Sequence, residues 1–163
     1  MKPIIKPVDN QYSNAIVDLV LTIQQKEFNV PITIEDQPDL FNIPNFYYAD
    51  GGGFWGAFID DQLVGTIALV KFADNAAAIR KMFVKKEFRG KEYAIAQKLL
   101  ETLIAYSKEN GIDDLYLGTI TILEAALRFY EKNNFVRIQK EKLPEGFPLM
   151  APDNVFCHLN LKK

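Results

Sequence analysis

Residues 82–94 have the sequence MFVKKEFRGKEYA, and this stretch decides how the rest of the chain is interpreted. It begins in a β-prone run and ends where a long amphipathic helix begins, so it spans a strand–helix junction. Free backbone N–H groups and the positive end of the helix dipole favour an anion such as phosphate at that place. The surrounding cations are Lys85, Lys86, Arg89 and Lys91. Gly90 lets the backbone approach an anion, but on this spacing alone a phosphate site and a solvated turn are equally good interpretations.

The segments on either side of the junction have clear strand and helix patterns. Before it, a three-strand meander is predicted at Phe54–Ile59, Leu63–Phe72 and Ala76–Val84, with short polar turns between the strands. After it, a helix is predicted that ends at Asn110-Gly111, a common C-cap. The apolar face of that helix consists of Ile95, Leu99, Leu100, Leu103 and Ile104.

The N-terminal part of the chain changes from regular to irregular. Pro3–Val8 predicts an edge strand, because its prolines cannot donate to a central ladder. Asp9 or Asn10 can cap a helix that runs to about Lys26. Residues 28–50 then lose periodicity and predict a long loop with short helical turns near 36–41 and 45–49, and long loops of this kind are often functional.

The C-terminal part returns to alternating strands and helices. Strands are predicted at Leu115–Gly118, Phe135–Ile138 and Val155–Leu161, with a helix at Thr121–Lys132 and a loop at Glu141–Asp153. Strand–helix–strand units demand crossovers, whereas the meander is antiparallel. We therefore expect an α/β (α+β) domain over residues 1–163, with a mixed sheet and helices on both faces.

Composition excludes several classes of protein. One Cys excludes an intramolecular disulfide and a Cys-rich zinc module, and one His removes most His-based metal sites, so we expect no metal. A net charge of −2 is unlike a dedicated nucleic-acid binder. No signal peptide or membrane span is recognisable, and we expect a cytoplasmic protein without a membrane partner.

Two motifs resemble the GNAT (GCN5-related N-acetyltransferase) family. The first is the acetyl-CoA motif R/Q-x-x-G-x-G/A, here Arg89 to Ala94, with Glu92 in place of the usual central Gly. The second is A-x-x-F-Y-x-x-x-G-F, here 126–135, with Asn134 standing for Gly where a left-handed conformation is needed. Leu123 stands where many members carry an Asn. Together with the order of elements, the resemblance covers nearly the whole chain.

The resemblance implies a fold and a division of roles. The fold is a mixed, mostly antiparallel sheet of about seven strands, splayed at its centre beside Val84 to admit acetyl-CoA as co-substrate. Main-chain groups of Phe83 and Val84 hold the pantetheine arm. Backbone N–H groups from Arg89 to Ala94 bind the pyrophosphate, and the residues concerned are Arg89, Gly90, Lys91, Glu92, Tyr93 and Ala94. Tyr130 is the general acid that protonates the leaving thiolate, since a phenol with a pKa near 10 is protonated at neutral pH; its alternative role is a core aromatic.

The acceptor side of the site is less defined. Glu27, at the end of the first helix, is the candidate base, with an ordinary solvated carboxylate as the alternative. An acidic stretch contains Glu35, Asp36 and Asp39. It predicts either a negatively charged rim of the acceptor site (a negative lip) that suits a cationic amine or a solvated acidic turn. Neutral polar contacts can come from Asn29, Gln37 and Tyr47.

The resemblance implies transfer of an acetyl group from acetyl-CoA to a primary amine, by direct attack in a ternary complex. The departures at Glu92 and Leu123 motivate an alternative, a non-catalytic acyl-CoA-binding or sensing module. A protein or peptide N-acetyltransferase is a further alternative, because the acceptor can be a small amine or a peptide amine. For the oligomeric state, the resemblance implies a homodimer, with the last strands and residues 143–152 as interface elements.

Overall fold

The computed structural model describes residues 2–90, 94–121, 123–150 and 153–162. Within them, one sheet has the strand order β1-β2-β3-β4-β5-β7-β6. In chain order its strands are β1 (Ile4–Pro7), β2 (Gly53–Ile59), β3 (Gln62–Ala73), β4 (Ala76–Val84), β5 (Asp114–Thr119), β6 (Val136–Ile138) and β7 (Val155–Asn160). Neighbouring strands are antiparallel except β4 and β5, which are parallel. The predicted mixed sheet, with Ile4–Pro7 at its edge, is confirmed.

Helices cover both faces of the sheet. The α-helices of the described residues are α1 (Ser13–Leu21), α2 (Ile95–Glu109) and α3 (Glu124–Lys132). On one face α1 packs with the irregular segment between α1 and β2, and on the other α2 and α3 share a core with the inner strands. No helix of the described ranges is long and apolar enough to cross a membrane.

Shorter helical turns fill the irregular segments. Short 3₁₀ helices lie at Asn10–Tyr12, Ile34–Asp36, Pro38–Phe41, Lys86–Phe88 and Lys140–Lys142. Turns of π-helix lie at Thr22–Glu27 and Pro44–Tyr48. The turn Thr22–Glu27 extends α1, so that the first helical segment ends at Glu27, close to the predicted end. Asp9 accepts a hydrogen bond from the Gln11 amide and caps the turn before α1, as expected.

The third α-helix begins later than predicted. Thr121 was expected to open it, but the helix begins at Glu124. The Thr121 amide instead donates to Asn154 Oδ1 at 3.1 Å, and the Leu123 amide closes a turn on Ile120 O at 3.0 Å. Thr121 and Leu123 therefore lie before the helix and not within it.

Strands β4 and β5 separate part-way along their length. Their paired residues are Ala76–Ala78 on β4 and Asp114–Tyr116 on β5. Beyond these pairs β4 continues to Val84 and β5 continues to Thr119, but the two strands no longer pair with each other. The splay implied by the resemblance is present: it begins after Ala78 and includes Val84.

A β-bulge lies on β4 at the start of this opening. The register between β3 and β4 shifts between Thr66 and Ala68, and Lys81 has a φ of 55°. The Thr66 hydroxyl donates to Lys81 O at 2.6 Å and holds the bulge. A bulge re-aims the side chains of its strand, and here both Arg80 and Lys81 line the opening.

Candidate active site

The opening between β4 and β5 is the mouth of a cavity with a volume of about 140 Å³. Residues 79–83 and 117–120 form two of its walls. The others are formed by Gln24, Val30 and Ile32 from the N-terminal part, Leu123, Ala126 and Tyr130 from the α3 region, and Met150 and Asp153 from the segment before β7. Because β4 is paired with β3 but not with β5 here, its β5-facing backbone edge is open to a ligand.

Tyr130 lies on α3 with only 5% of its surface exposed, and it lines the cavity. Its ring packs against Phe129 and Phe135, with centroids 5.5 and 5.4 Å away. Within the described part of the chain its hydroxyl has no hydrogen-bond partner. Burial, with a smaller contribution from Cys157, raises the pKa of Tyr130 above its usual value. Tyr130 is therefore both a core aromatic and a protonated donor beside the cavity.

The strand–helix junction shows the backbone shape that its sequence predicts. Gly90 has a φ of +128°, and apart from its chain neighbours no atom of the described residues lies within 4 Å of where a Cβ would be. Its amide has no partner among the described residues. The Ala94 amide donates to Gly90 O at 3.1 Å, and Ala94 has a φ of 50° immediately before α2. The predicted contacts of Lys91, Glu92 and Tyr93 lie outside the described residues.

The Arg89 side chain binds protein groups instead of projecting freely. Its Nε donates to Val84 O at 2.9 Å, and both terminal nitrogens donate to the Glu27 carboxylate, with Nη2 to Oε1 at 2.7 Å. The hydrogen bond from Arg89 is the main cause that lowers the pKa of Glu27. A carboxylate held in this way takes up a proton less readily. Glu27 is also not among the residues that line the cavity, so this geometry does not favour the predicted role as base.

The chain is similar to a large group of acetyltransferases. A family model described as the acetyltransferase (GNAT) family matches residues 17–135. The chain belongs to this family. The predicted family and fold class are confirmed, and acyltransferase activity is the general property of the family.

Among solved structures, a GNAT-family acetyltransferase from Staphylococcus aureus Mu50 superposes on this GNAT chain with a TM-score of 0.94 at 40% identity. The match covers 98% of this chain and 99% of that one. PaiA N-acetyltransferase from Thermoplasma acidophilum, solved in complex with coenzyme A, superposes with a TM-score of 0.77 at 20% identity. It covers 98% of this chain and 99% of that one, and at this identity the likeness shows the fold alone.

Curated relatives are more distant and longer. N-acetylaspartate synthetase of Danio rerio is 33% identical over 102 residues, which cover 61% of this chain and 36% of that protein. The probable N-acetyltransferase camello of Xenopus tropicalis is 29% identical over 109 residues, which cover 65% of this chain and 49% of that protein. The chain thus spans half or less of the length of these relatives.

The acids predicted as a negative lip do not line the cavity of this GNAT domain. Asp36 accepts hydrogen bonds from the Thr33 amide and hydroxyl at 3.0 and 3.2 Å. Asp39 accepts a hydrogen bond from the Tyr47 hydroxyl and lies 3.7 Å from Lys81 Nζ. Glu35 is exposed in a helical turn. The alternative, a solvated acidic turn, describes Glu35 and Asp36, which are exposed, whereas Asp39 is largely buried beside Lys81.

Lys81 is a buried cation that sequence reasoning missed. Its side chain is 4% exposed, and Nζ donates to Gln37 Oε1. Burial lowers the pKa of Lys81 to about 8, partly offset by Asp39. Gln37, predicted as a polar contact, is fully buried and donates to Gln24 Oε1 at 2.9 Å. The available signal was the pair of cations Arg80 and Lys81 in the middle of an otherwise apolar strand.

Arg80 and Asp153 are further charged groups of the cavity that the sequence did not single out. Asp153 lies against Gly118, where an added Cβ would be 2.5 Å from Asp153 Oδ2. Burial raises the pKa of Asp153 to about 6, partly offset by Arg80. Arg80 Nη2 donates to Met150 Sδ at 2.9 Å. The sequence does not predict that Arg80 and Asp153 line one cavity, because β4 and the segment before β7 are far apart in sequence.

Proposed function

We propose that the protein transfers an acetyl group from acetyl-CoA to a primary amine by direct attack in a ternary complex. The observation that carries this proposal is Tyr130, a buried and protonated phenol that lines the cavity between the separated strands β4 and β5. The family membership supports acetyl transfer in general. The neighbour solved with coenzyme A has the same fold and supports an acyl-CoA donor.

The chain offers a fitting place for each part of the donor. The unpaired edge of β4 at Phe83 and Val84 can bind the pantetheine arm as an added strand does. The Gly90 amide has no partner among the described residues and suits the pyrophosphate just before α2. The family resemblance extends this proposed site over the stretch from Arg89 to Ala94. Arg89 keeps the junction in shape through Val84 O and Glu27.

The chemical step needs a proton donor for the departing sulfur. The amine nitrogen attacks the thioester carbonyl, the C–N bond forms and the C–S bond breaks. Tyr130 protonates the sulfur, and the proton that the attacking nitrogen loses passes through water and restores the Tyr130 phenol. Cys157, the single cysteine, is 1% exposed and does not line the cavity, which supports direct attack over a covalent acyl-enzyme.

The test incubates the protein with acetyl-CoA and a panel of primary amines and follows the release of free thiol. We expect release above the rate of acetyl-CoA hydrolysis with at least one amine. Acetyl-CoA at a hundred times its dissociation constant should also stabilise the fold by about 2.7 kcal/mol. Stabilisation without turnover would favour a non-catalytic acyl-CoA-binding module, and turnover with peptides alone would favour a peptide N-acetyltransferase.

The remaining expectations follow from this proposal. We propose that residues 1–163 act as one N-acetyltransferase domain and that it works in the cytoplasm. Fractionation of cells that express the chain, followed by the thiol assay on each fraction, tests the cytoplasmic location.

A further inference from the structure

The cavity is lined by a cation, Arg80, and a carboxylate, Asp153, that do not form an ion pair with each other. Arg80 and Asp153 both line it, and among the described residues neither takes part in an ion pair within 4.0 Å. The Arg80 guanidinium lowers the pKa of Asp153, so the two side chains lie near one another at this cavity. Opposite charges held apart in one cavity are complementary to a ligand that carries both signs.

Arg80 has donors left for a ligand. A guanidinium carries five N–H donors, and the hydrogen bond that the protein supplies to this one ends on a thioether, a weak acceptor. The neighbouring cation, Lys81, is in a different state because Gln37 and Asp39 bind it. Arg80 is therefore the cation of this cavity that is available to bind an anion, and a carboxylate suits its planar fork.

Asp153 lines the same cavity. Its carboxyl packs against Gly118 on β5, beside the separated edge of that strand. Because burial raises the pKa of Asp153 to about 6, it is ionised at neutral pH but takes up a proton more readily than an exposed aspartate. Such a carboxylate attracts an ammonium group and can accept its proton.

We infer that the acceptor is a small primary amine that also carries a carboxylate, with the carboxylate bound by Arg80 and the ammonium facing Asp153. The inference rests on the proposed acetyl transfer and names its acceptor class. The ammonium gives one proton to Asp153, and the neutral nitrogen then attacks the thioester. The nitrogen loses its second proton as the amide forms, which replaces the proton that Tyr130 gives to sulfur, and Asp153 later releases its proton to water. A polyamine fits less well, because Arg80 and Lys81 repel it and the predicted acidic lip is not at the cavity.

The first experiment compares matched acceptors in the thiol-release assay. A set of amino acids is tested beside the carboxamide and the decarboxylated amine of each. We expect kcat/KM to be at least about tenfold higher for the best amino acid than for its carboxamide, as a charged hydrogen-bonded pair provides. R80Q should reduce this preference to nearly one, and R80K should keep part of it. D153N should lower kcat/KM for every amine.

The matched controls are substitutions of the same kind outside the cavity. R128Q removes an exposed guanidinium from α3, and D60N removes a carboxylate from the turn between β2 and β3. Both variants should keep the wild-type preference for the amino acid over its carboxamide and the wild-type kcat/KM. Acetyl-CoA affinity should be unchanged in R80Q, and this shows that the donor site is intact.

A second measurement works without turnover. Calorimetry compares the binding of an N-acetylated amino acid and of its amide to the wild-type protein and to R80Q, with CoA present. We expect the acid to bind wild-type protein at least tenfold more tightly than the amide, and R80Q to lose this difference. Equal affinities, or neutral amines and polyamines that react best in both proteins, overturn the acceptor class and leave acetyl transfer intact. Absence of turnover with every amine instead contradicts the proposed function.

Discussion

Arg89 and Glu27 are 62 residues apart in sequence, yet the guanidinium of one binds both carboxylate oxygens of the other. The pair joins the end of the first helical segment to the junction before α2. Bidentate pairing fixes the orientation of the arginine, and its Nε is thereby directed to Val84 O. The Glu27 carboxylate thus positions the loop on which the proposed pyrophosphate site depends.

Replacing Glu27 with Gln tests whether this carboxylate positions the loop or accepts a proton. We expect E27Q to lower the free energy of unfolding by less than about 1 kcal/mol, because the pair is partly exposed and screened. Acetyl-CoA affinity should fall by a few fold, with kcat nearly unchanged once the donor is saturating. E35Q, which removes an exposed carboxylate, is the control. A hundredfold loss of kcat at unchanged acetyl-CoA affinity would restore Glu27 as the base.

Replacing Gly90 with Ala tests the backbone shape of the junction. Its φ of +128° is a conformation that residues with a Cβ rarely adopt, although space for the methyl group is available. We expect G90A to destabilise the protein by about 1–2 kcal/mol and to weaken acetyl-CoA binding by tenfold or more. Calorimetric titration with acetyl-CoA measures the second effect.

Gly111 supplies the matched control for that substitution. It also has a positive φ, +72°, and open space at the Cβ position, but it follows α2 at the helix end far from the junction. G111A should cost stability of about 1 kcal/mol and leave acetyl-CoA affinity unchanged. An equal loss of affinity in both variants would contradict a specific role for Gly90.

Lys81 makes stability depend on pH in the alkaline range. Burial lowers the pKa of Lys81 to about 8 from 10.5, so between these values the unfolded chain binds more protons than the folded one. The cost of burying the charge is complete below pH 8 and is relieved as pH rises to 10.5. We expect the free energy of unfolding of wild type minus that of K81M to increase across this window. Urea unfolding at several pH values measures it, and a constant difference would contradict the assignment.

The strands and helices were predictable because each has a strong local signal. The meander Phe54–Val84 alternates apolar runs with polar turns, and its three strands were confirmed. The left-handed Asn134, with a φ of 73°, was also predicted correctly. The start of α3 was wrong by three residues, because the side chain of Asn154 holds Thr121 in a turn and no local pattern encodes that contact.

The cavity could be predicted only in part. Its tyrosine and its strand–helix junction follow from two short motifs, and both have the expected placement in the fold. The charged residues that line the cavity do not follow from these motifs. The bulge at Lys81 re-aims two neighbouring side chains, and Asp153 comes from the segment before β7, which is distant in sequence. The acids that looked available in sequence, Asp36 and Asp39, are bound within the irregular segment instead.

The most direct measurement compares kcat and acetyl-CoA affinity of Y130F with those of the wild type, with the best amine of the panel. Loss of the proton donor should lower kcat roughly a hundredfold, since general acid catalysis contributes 10²–10⁴-fold, while the dissociation constant of acetyl-CoA stays within about twofold. Y12F, which removes a hydroxyl outside the cavity, should match the wild type. An unchanged kcat in Y130F would contradict the role of Tyr130 as the acid that protonates the leaving thiolate.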